Sequence, residues 1–387
     1  MPISLYLHIP FCKHRCAYCD FNTYAGQEVS IPLYVNALCN EIKSLGHHIP
    51  QLNVQTIFFG GGTPSLLSAA QYQTILQTIH DEFDIISTAE ISLEANPGTV
   101  SSGYLRDLYL LGFNRISYGV QSVNPEELRM LERIHAYSDV VDAVTWSRRA
   151  GFRNINLDLI YGLPEQTLER WQHTVKLIMG LHPEHISAYA LTLEHGTPFG
   201  RWAAKGLLPI PDPDLGAEQY EWTMQYLAEH GYEQYEISNW SLPGRQCQHN
   251  LQYWHNFEYL GIGAGAHGYA SGFRYSNVLR IKTYIDRCTS SRESGLPFPL
   301  TSATINHHKN TVREDMQETM LTGLRLTSDG ISIMGFSTRF GLDVRSVFGD
   351  EIGKMTNYGL LEIVDDVLRL TVHGRLLGNQ VFMQFVE

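Results

Sequence analysis

Two hydrophobic periods alternate along roughly the first 240 residues. Short, dense apolar runs recur at Ile3–Ile9, Val54–Phe59, Glu90–Ala95, Arg115–Val120, Ile155–Ile160 and His185–Leu191. Their hydrophobic period and turn signals predict strands. Between them apolar residues fall at helical spacing. This predicts helices near 31–46, 68–82, 101–111, 125–150 and 167–180, and one near 214–230 that leads into Tyr232–Ile237. About six such βα units predict a parallel sheet with right-handed crossovers. Periodicity alone does not separate an open doubly wound sheet from a barrel.

The later chain reads differently. Pro209–Asp214 is a loop before a helix. Leu260–Gly268 carries four glycines, which suggests close packing against a ligand or the barrel. It fits no dinucleotide fingerprint, because no strand–turn–helix unit with a downstream acid surrounds it. Residues 289–310 are polar and proline-marked and read as a connection. A helix near 311–325, short elements around Asp329-Gly330 and Phe340-Gly341, a hairpin across Asp365-Asp366 and a final helix from about Gly374 to Phe385 follow. Helices before a two-stranded wing suggest a small winged-helix-like α+β domain. The expected organisation is 1–240, a connecting segment 241–305, and 306–387.

Composition narrows the classes. With 387 residues, 43% hydrophobic content and a mean hydropathy of −0.17, this is a soluble globular chain able to bury two cores. A net charge of −12 argues against general nucleic-acid binding or a polybasic membrane anchor. Winged helices often bind DNA. From residue 301 on, however, eight Lys and Arg face eleven Asp and Glu, the wrong sign for phosphate contact. No apolar run approaches the ~20 residues of a membrane span. Met1-Pro2-Ile3-Ser4 has no positive region before an apolar core, so no signal peptide is expected. The expected location is the cytoplasm, whose reducing conditions keep thiols free.

Candidate chemistry concentrates at strand ends. Three of the six cysteines, Cys12, Cys16 and Cys19, follow the first strand at C-x3-C-x2-C spacing. Thiolates are soft ligands for zinc, Cu(I) or iron–sulfur centres. A structural zinc would want a fourth ligand, and only His14 is local. Three cysteines suit a cubane [4Fe–4S] cluster with one open iron, since a cubane otherwise takes four thiolates. A zinc knuckle, unliganded thiols and a redox pair are the alternatives. Strand two ends in Gly60-Gly61-Gly62-Thr63, either a tight turn or a close backbone approach to a ligand. Strand three ends at Glu94, either a helix-start cap or a ligand group. Arg133 is either an exposed helix arginine or a bidentate clamp for a carboxylate. Asp158 interrupts an apolar run and needs a partner if buried. Tyr6 and Tyr18 flank the cysteines and either shield the site, touch a cofactor, or simply pack.

C-x3-C-x2-C after a first strand resembles the radical S-adenosylmethionine (SAM) superfamily. The string Y-x-H-I-P-F-C-x3-C-x-Y-C-x-F, from Tyr6 to Phe21, resembles the branch that holds oxygen-independent coproporphyrinogen III oxidases and HemW-type heme chaperones. The resemblance implies a partial (β/α)6 barrel with ligands at the C-terminal strand ends. It implies a [4Fe–4S] cluster on Cys12, Cys16 and Cys19 with SAM on the open iron. Gly61, Gly62 and Thr63 would pair with the SAM amino group. Glu94, in E-x-[ND]-P, would accept from the cofactor, and Gln121 matches the G-V-Q glutamine. Arg133 would take the SAM carboxylate, and Asp158 a ribose hydroxyl. The resemblance extends through Leu193–Pro198. His249-Asn250-Leu251-Gln252-Tyr253-Trp254 matches H-N-x-x-Y-W, associated with heme binding in the chaperones. Histidine is a common axial heme ligand, so His249 is the candidate, with His255, His267 and Cys247 as alternatives; the other reading of the motif is a packed structural unit with a hydrogen-bonded histidine.

Two functions follow from the resemblance. One is a heme chaperone that passes heme to an acceptor hemoprotein. The other is a coproporphyrinogen III oxidase, in which reductive SAM cleavage starts decarboxylation of propionate side chains. The oxidases carry a further cysteine where Phe21 stands, and a longer segment before the cluster than this chain's eleven residues. Together with H-N-x-x-Y-W, these features favour the chaperone. A zinc-binding regulator using the wing is a distant third class. The expected ligands are the cluster, SAM and heme, and no nucleic acid. Peripheral membrane contact through the acceptor and a homodimer stay open.

Overall fold

Six parallel strands run side by side in chain order in the computed structural model: Ile3–Ile9 (β1), Asn53–Gly61 (β2), Asp84–Ala95 (β3), Arg115–Gln121 (β4), Ile155–Tyr161 (β5) and His185–Ala190 (β6). The structure describes residues 2–49, 51–290 and 295–386; the Ser291–Ser294 part of the expected connection lies outside the described residues. The chain divides into two compact units, Met1–Thr223 with Glu258–His308, and Met224–Phe257 with Lys309–Glu387.

The first unit is a mixed α/β partial (β/α)6 barrel. Its strands are apolar because both faces are covered: Leu5, Leu7 and Ile9 of β1 and Ile57 and Phe59 of β2 are fully buried. The crossover helices are Ile31–His48 (α1), Ala69–Glu82 (α2), Ser102–Leu110 (α3), Pro125–Met130 (α4), Tyr137–Ala150 (α5) and Leu168–Met179 (α6). Ser68 opens α2 with a full capping box to Gln71, which fixes where the chain leaves the β2 loop.

The single helix expected over 125–150 is instead two. α4 stops at Leu131, Glu132 takes a left-handed φ of 55°, and α5 restarts at Ala136, whose N–H donates to Asp139. Neither glycine nor proline marks this break, so the apolar period runs through it unbroken. The break lifts Arg133 out of any helix.

Residues 258–308 flank the barrel. Tyr259–Ile262 lies parallel to β1 on the side away from β2, followed by the antiparallel strands His267–Ala270 and Phe273–Asn277, with Thr304–Lys309 beyond. The glycine run reflects this packing. At Gly263, φ is 106° and a Cβ would lie 2.6 Å from the His8 carbonyl oxygen. Glu41 of α1 anchors the segment. Its buried carboxylate accepts from Gly263 N (2.9 Å), Asn277 Nδ2 (2.8 Å), Tyr284 Oη (2.6 Å) and Thr301 Oγ1 (2.9 Å).

The second unit has its own core of Met316, Met320, Phe336, Phe348, Leu368 and Phe382. Strands Leu361–Val364 and Val367–Leu370 form a hairpin, and Ile331–Ser332 adds a third strand. Asp365 and Asp366 both take positive φ, as the two central residues of a type I′ turn require. This is the winged α+β unit the sequence suggested. The expected terminal helix is broken into Val372–Leu376, Gly378–Phe382 and a 3-10 turn at Met383–Phe385, because Leu377 leaves helical geometry. No helix among the described residues is long and apolar enough to cross a membrane.

Candidate functional site

The cysteine loop is fixed at both ends by backbone. Phe11–Cys12 pairs with Tyr24–Ala25, and Tyr24 N donates to Pro10 O at 2.7 Å. The β2 turn grips the same loop: Gly62 N donates to Ile9 O (2.9 Å) and Thr63 N to Phe11 O (2.7 Å). A Cβ on Gly62 would stand 2.6 Å from Phe11 O, so only glycine permits this approach.

A cavity of about 390 Å³ opens at the C-terminal strand ends beside this loop. It is lined by Cys12, Cys16, Cys19 and Tyr18 from the loop, Gly61, Gly62 and Thr63 after β2, and Glu94 of β3. Gln121 of β4, Arg133 from the α4–α5 break and Asp158 of β5 complete the polar wall, with Ile160, Tyr189 and Leu191 on the apolar side. Eleven of the thirteen site residues expected from sequence thus meet in one place. Tyr6 does not line it; its hydroxyl bonds His8 Nδ1 at 2.9 Å and its ring stacks on Phe58. His249 lies in the second unit, in the Gln248–Trp254 helix. It is fully buried, with Nε2 on Tyr253 Oη at 2.7 Å.

Strand register sets the polar wall. Glu94 neighbours Ser117, Ser117 neighbours Asn156, and Asp158 neighbours Ser187. Asp158 accepts from Ser117 Oγ (2.8 Å) and Asn156 Nδ2 (2.7 Å), which supplies the partners a half-buried carboxylate needs. Glu94 Oε2 accepts from Gly61 N at 2.9 Å. Burial, and then the Asp158 charge, push the Glu94 carboxyl up to about 7. Burial also raises Asp158, opposed by its hydrogen bonds and by the Arg115 charge.

Sequence reasoning missed three residues at this site, Asn96 in the wall and Ser117 and Asn156 buried behind it. Asn96 accepts from Arg133 Nη2 and stands in the E-x-N-P motif itself, so its signal was present. Asn156 lies two before Asp158, on the same strand face, a period-2 signal. Ser117 has only its register to reveal it.

The donor set fits the groups the sequence implies. None of the six cysteines is in a disulfide. Burial holds the Cys12 and Cys19 thiols above their ordinary pKa, so metal binding there would release protons. Among the described residues, no three His, Cys, Asp or Glu side chains converge as on a single ion. A cubane needs no such convergence, because each thiolate takes a different iron. Arg133 Nε is buried without a hydrogen-bond partner, a donor that a ligand carboxylate would satisfy. The volume lies within the ~300–1,000 Å³ of small-molecule pockets.

Comparison with known proteins agrees with this geometry. The profile of the Radical SAM superfamily matches residues 6–178, and that of the HemN C-terminal domain matches residues 310–377. The solved structure of coproporphyrinogen III oxidase (HemN) from Escherichia coli aligns with a TM-score of 0.84 at 24% identity. The alignment covers 99% of this chain and 90% of that one, a likeness of fold. Fold and matches together define a radical SAM protein. Heme chaperone HemW of Bacillus subtilis is 39% identical over 384 residues, 99% of each chain, and that of Lactococcus lactis is 38% identical over 385 residues, 100% of this chain and 97% of its own. Heme chaperone HemW of E. coli is 44% identical over 268 residues, 69% of this chain and 70% of its own. The chain belongs to the HemW family of heme chaperones.

Proposed function

We propose that this protein binds heme and passes it to an acceptor hemoprotein in the cytoplasm. In this reading Cys12, Cys16 and Cys19 carry a [4Fe–4S] cluster with exchangeable SAM beside it. The observation that carries the cofactor reading is the meeting of three free thiols and four strand-end or loop polar groups on one cavity. The bound cluster would supply a redox centre with one open iron.

The chain's own residues would do the rest. Gly61, Gly62 and Thr63 present backbone to the amino group of SAM. Arg133 takes its carboxylate through the unpartnered Nε–H. Asp158, oriented by Ser117 and Asn156, accepts from the ribose, while Glu94 and Gln121 line the floor. Tyr18 and the apolar wall of Ile160, Tyr189 and Leu191 exclude water. Cluster iron and sulfide are measured after anaerobic reconstitution, and SAM binding by calorimetry. Four irons per chain and saturable SAM binding are expected. Asp158→Asn should weaken SAM by about tenfold, since a hydrogen bond to a charged group is worth about 1.5–3 kcal/mol.

His249 is proposed as the axial heme ligand. Iron coordination through Nε2 would replace the bond to Tyr253, so the Gln248–Trp254 helix must open locally. A His249→Ala chain with unchanged heme affinity and spectrum would exclude this role. Incubation with SAM, reductant and coproporphyrinogen III is expected to yield no protoporphyrinogen, which separates the chaperone from the oxidase.

A further inference from the structure

Arg133 reaches the cysteine loop as well as the cavity. Its Nη1 lies 3.7 Å from Cys16 Sγ, and Nη2 donates to the Gly119 carbonyl and to Asn96 Oδ1. Asn96 then turns its other end toward the loop. Nδ2 donates to Thr63 Oγ1 at 3.5 Å, and Thr63 Oγ1 donates to Cys12 Sγ at 3.5 Å. Only one orientation of the Asn96 amide serves both neighbours, because the flipped group would set NH2 against the guanidinium. One cation therefore addresses two of the three thiols, one directly and one through an amide and a hydroxyl.

We propose that Arg133, Asn96 and Thr63 form a hydrogen-bond relay onto the Cys16 and Cys12 sulfurs that sets the reduction potential of the iron–sulfur cluster. The inference rests on the reading of Cys12, Cys16 and Cys19 as cluster ligands. Hydrogen bonds to ligand sulfur stabilise the reduced cluster, which carries one more negative charge, over the oxidised one. A half-buried cation beside the sulfurs acts in the same direction. The relay therefore raises the potential and eases entry of one electron from an external reductant. Asn96 is a positioning residue: it touches no sulfur, but it aims both donors.

The test is a redox titration with dithionite, followed by electron paramagnetic resonance, on chains loaded with four irons. Thr63→Val removes the hydroxyl at constant shape and keeps the backbone bond to Phe11 O. Asn96→Leu removes the coupling amide. Arg133→Lys keeps the charge and loses the fork. Each should lower the reduction equilibrium by about tenfold, which is 59 mV for one electron. The Asn96→Leu/Thr63→Val pair should shift less than the sum of the two, as members of one network do. Iron–sulfur stretching frequencies should rise in Thr63→Val as the sulfur loses its donor. Unchanged potentials in variants that retain four irons overturn the relay. A wild-type chain that takes up no [4Fe–4S] cluster instead overturns the underlying reading, and iron analysis tells the two failures apart. Should Asn96→Leu or Arg133→Lys fail to hold iron, Thr63→Val alone decides.

Discussion

Glu94 shows how strongly one residue's surroundings govern it. Its carboxyl, pushed up to about 7 from an ordinary 4.5, resists ionisation in the fold where the unfolded chain ionises freely. Its contribution to stability is therefore full below about 4.5 and lost as pH rises through about 7. Urea midpoints of the ligand-free chain should fall across this window relative to those of Glu94→Gln. A constant difference between the two would contradict the account. At Gly62 the controlling quantity is space. Gly62→Ala would press a methyl against Phe11 O and displace the cysteine loop. A cost of about 1–3 kcal/mol is expected in unfolding, with most of the iron uptake lost on reconstitution. Both positions were legible in the sequence, because each sits at the end of an apolar strand where a polar or glycine residue has no packing reason to be. Arg133 was legible only through its motif, since nothing local marks it as facing the cavity.

Elements were legible to the degree that their signals are local. The six barrel strands are covered on both faces, so they read as apolar runs, and β1 has the bounds expected of it. The Asp365-Asp366 hairpin was legible for a similar reason, two alternating runs around a two-residue turn. The α4–α5 break was not. It is set by Glu132 entering the left-handed region and by tertiary contacts of Arg133, and the residue pattern is blind to both. The return of Tyr259–Ile262 to β1 was equally hidden, because the partners lie about 250 residues apart. Glu41 carries much of that long-range attachment. Glu41→Ala would strand four buried donors at once and should cost about 3 kcal/mol or more in denaturant unfolding. Glu41→Gln should cost less, since its remaining oxygen still accepts. Equal, negligible effects from both would show that the network does not secure the segment.

At the scale of the whole molecule, two units carry two different candidate chemistries. The barrel unit holds the cysteine loop and its cavity, while His249 sits in the unit with the wing. A net charge of −12 disfavours contact with phosphate polymers. The most direct measurement is therefore transfer itself. The reconstituted chain is loaded with heme, mixed with an apo-hemoprotein, and followed by absorbance. The account predicts saturable binding near one heme per chain, and movement of the heme spectrum from this chain to the acceptor. Heme that binds without saturation, or stays on the chain while the acceptor remains empty, would contradict it.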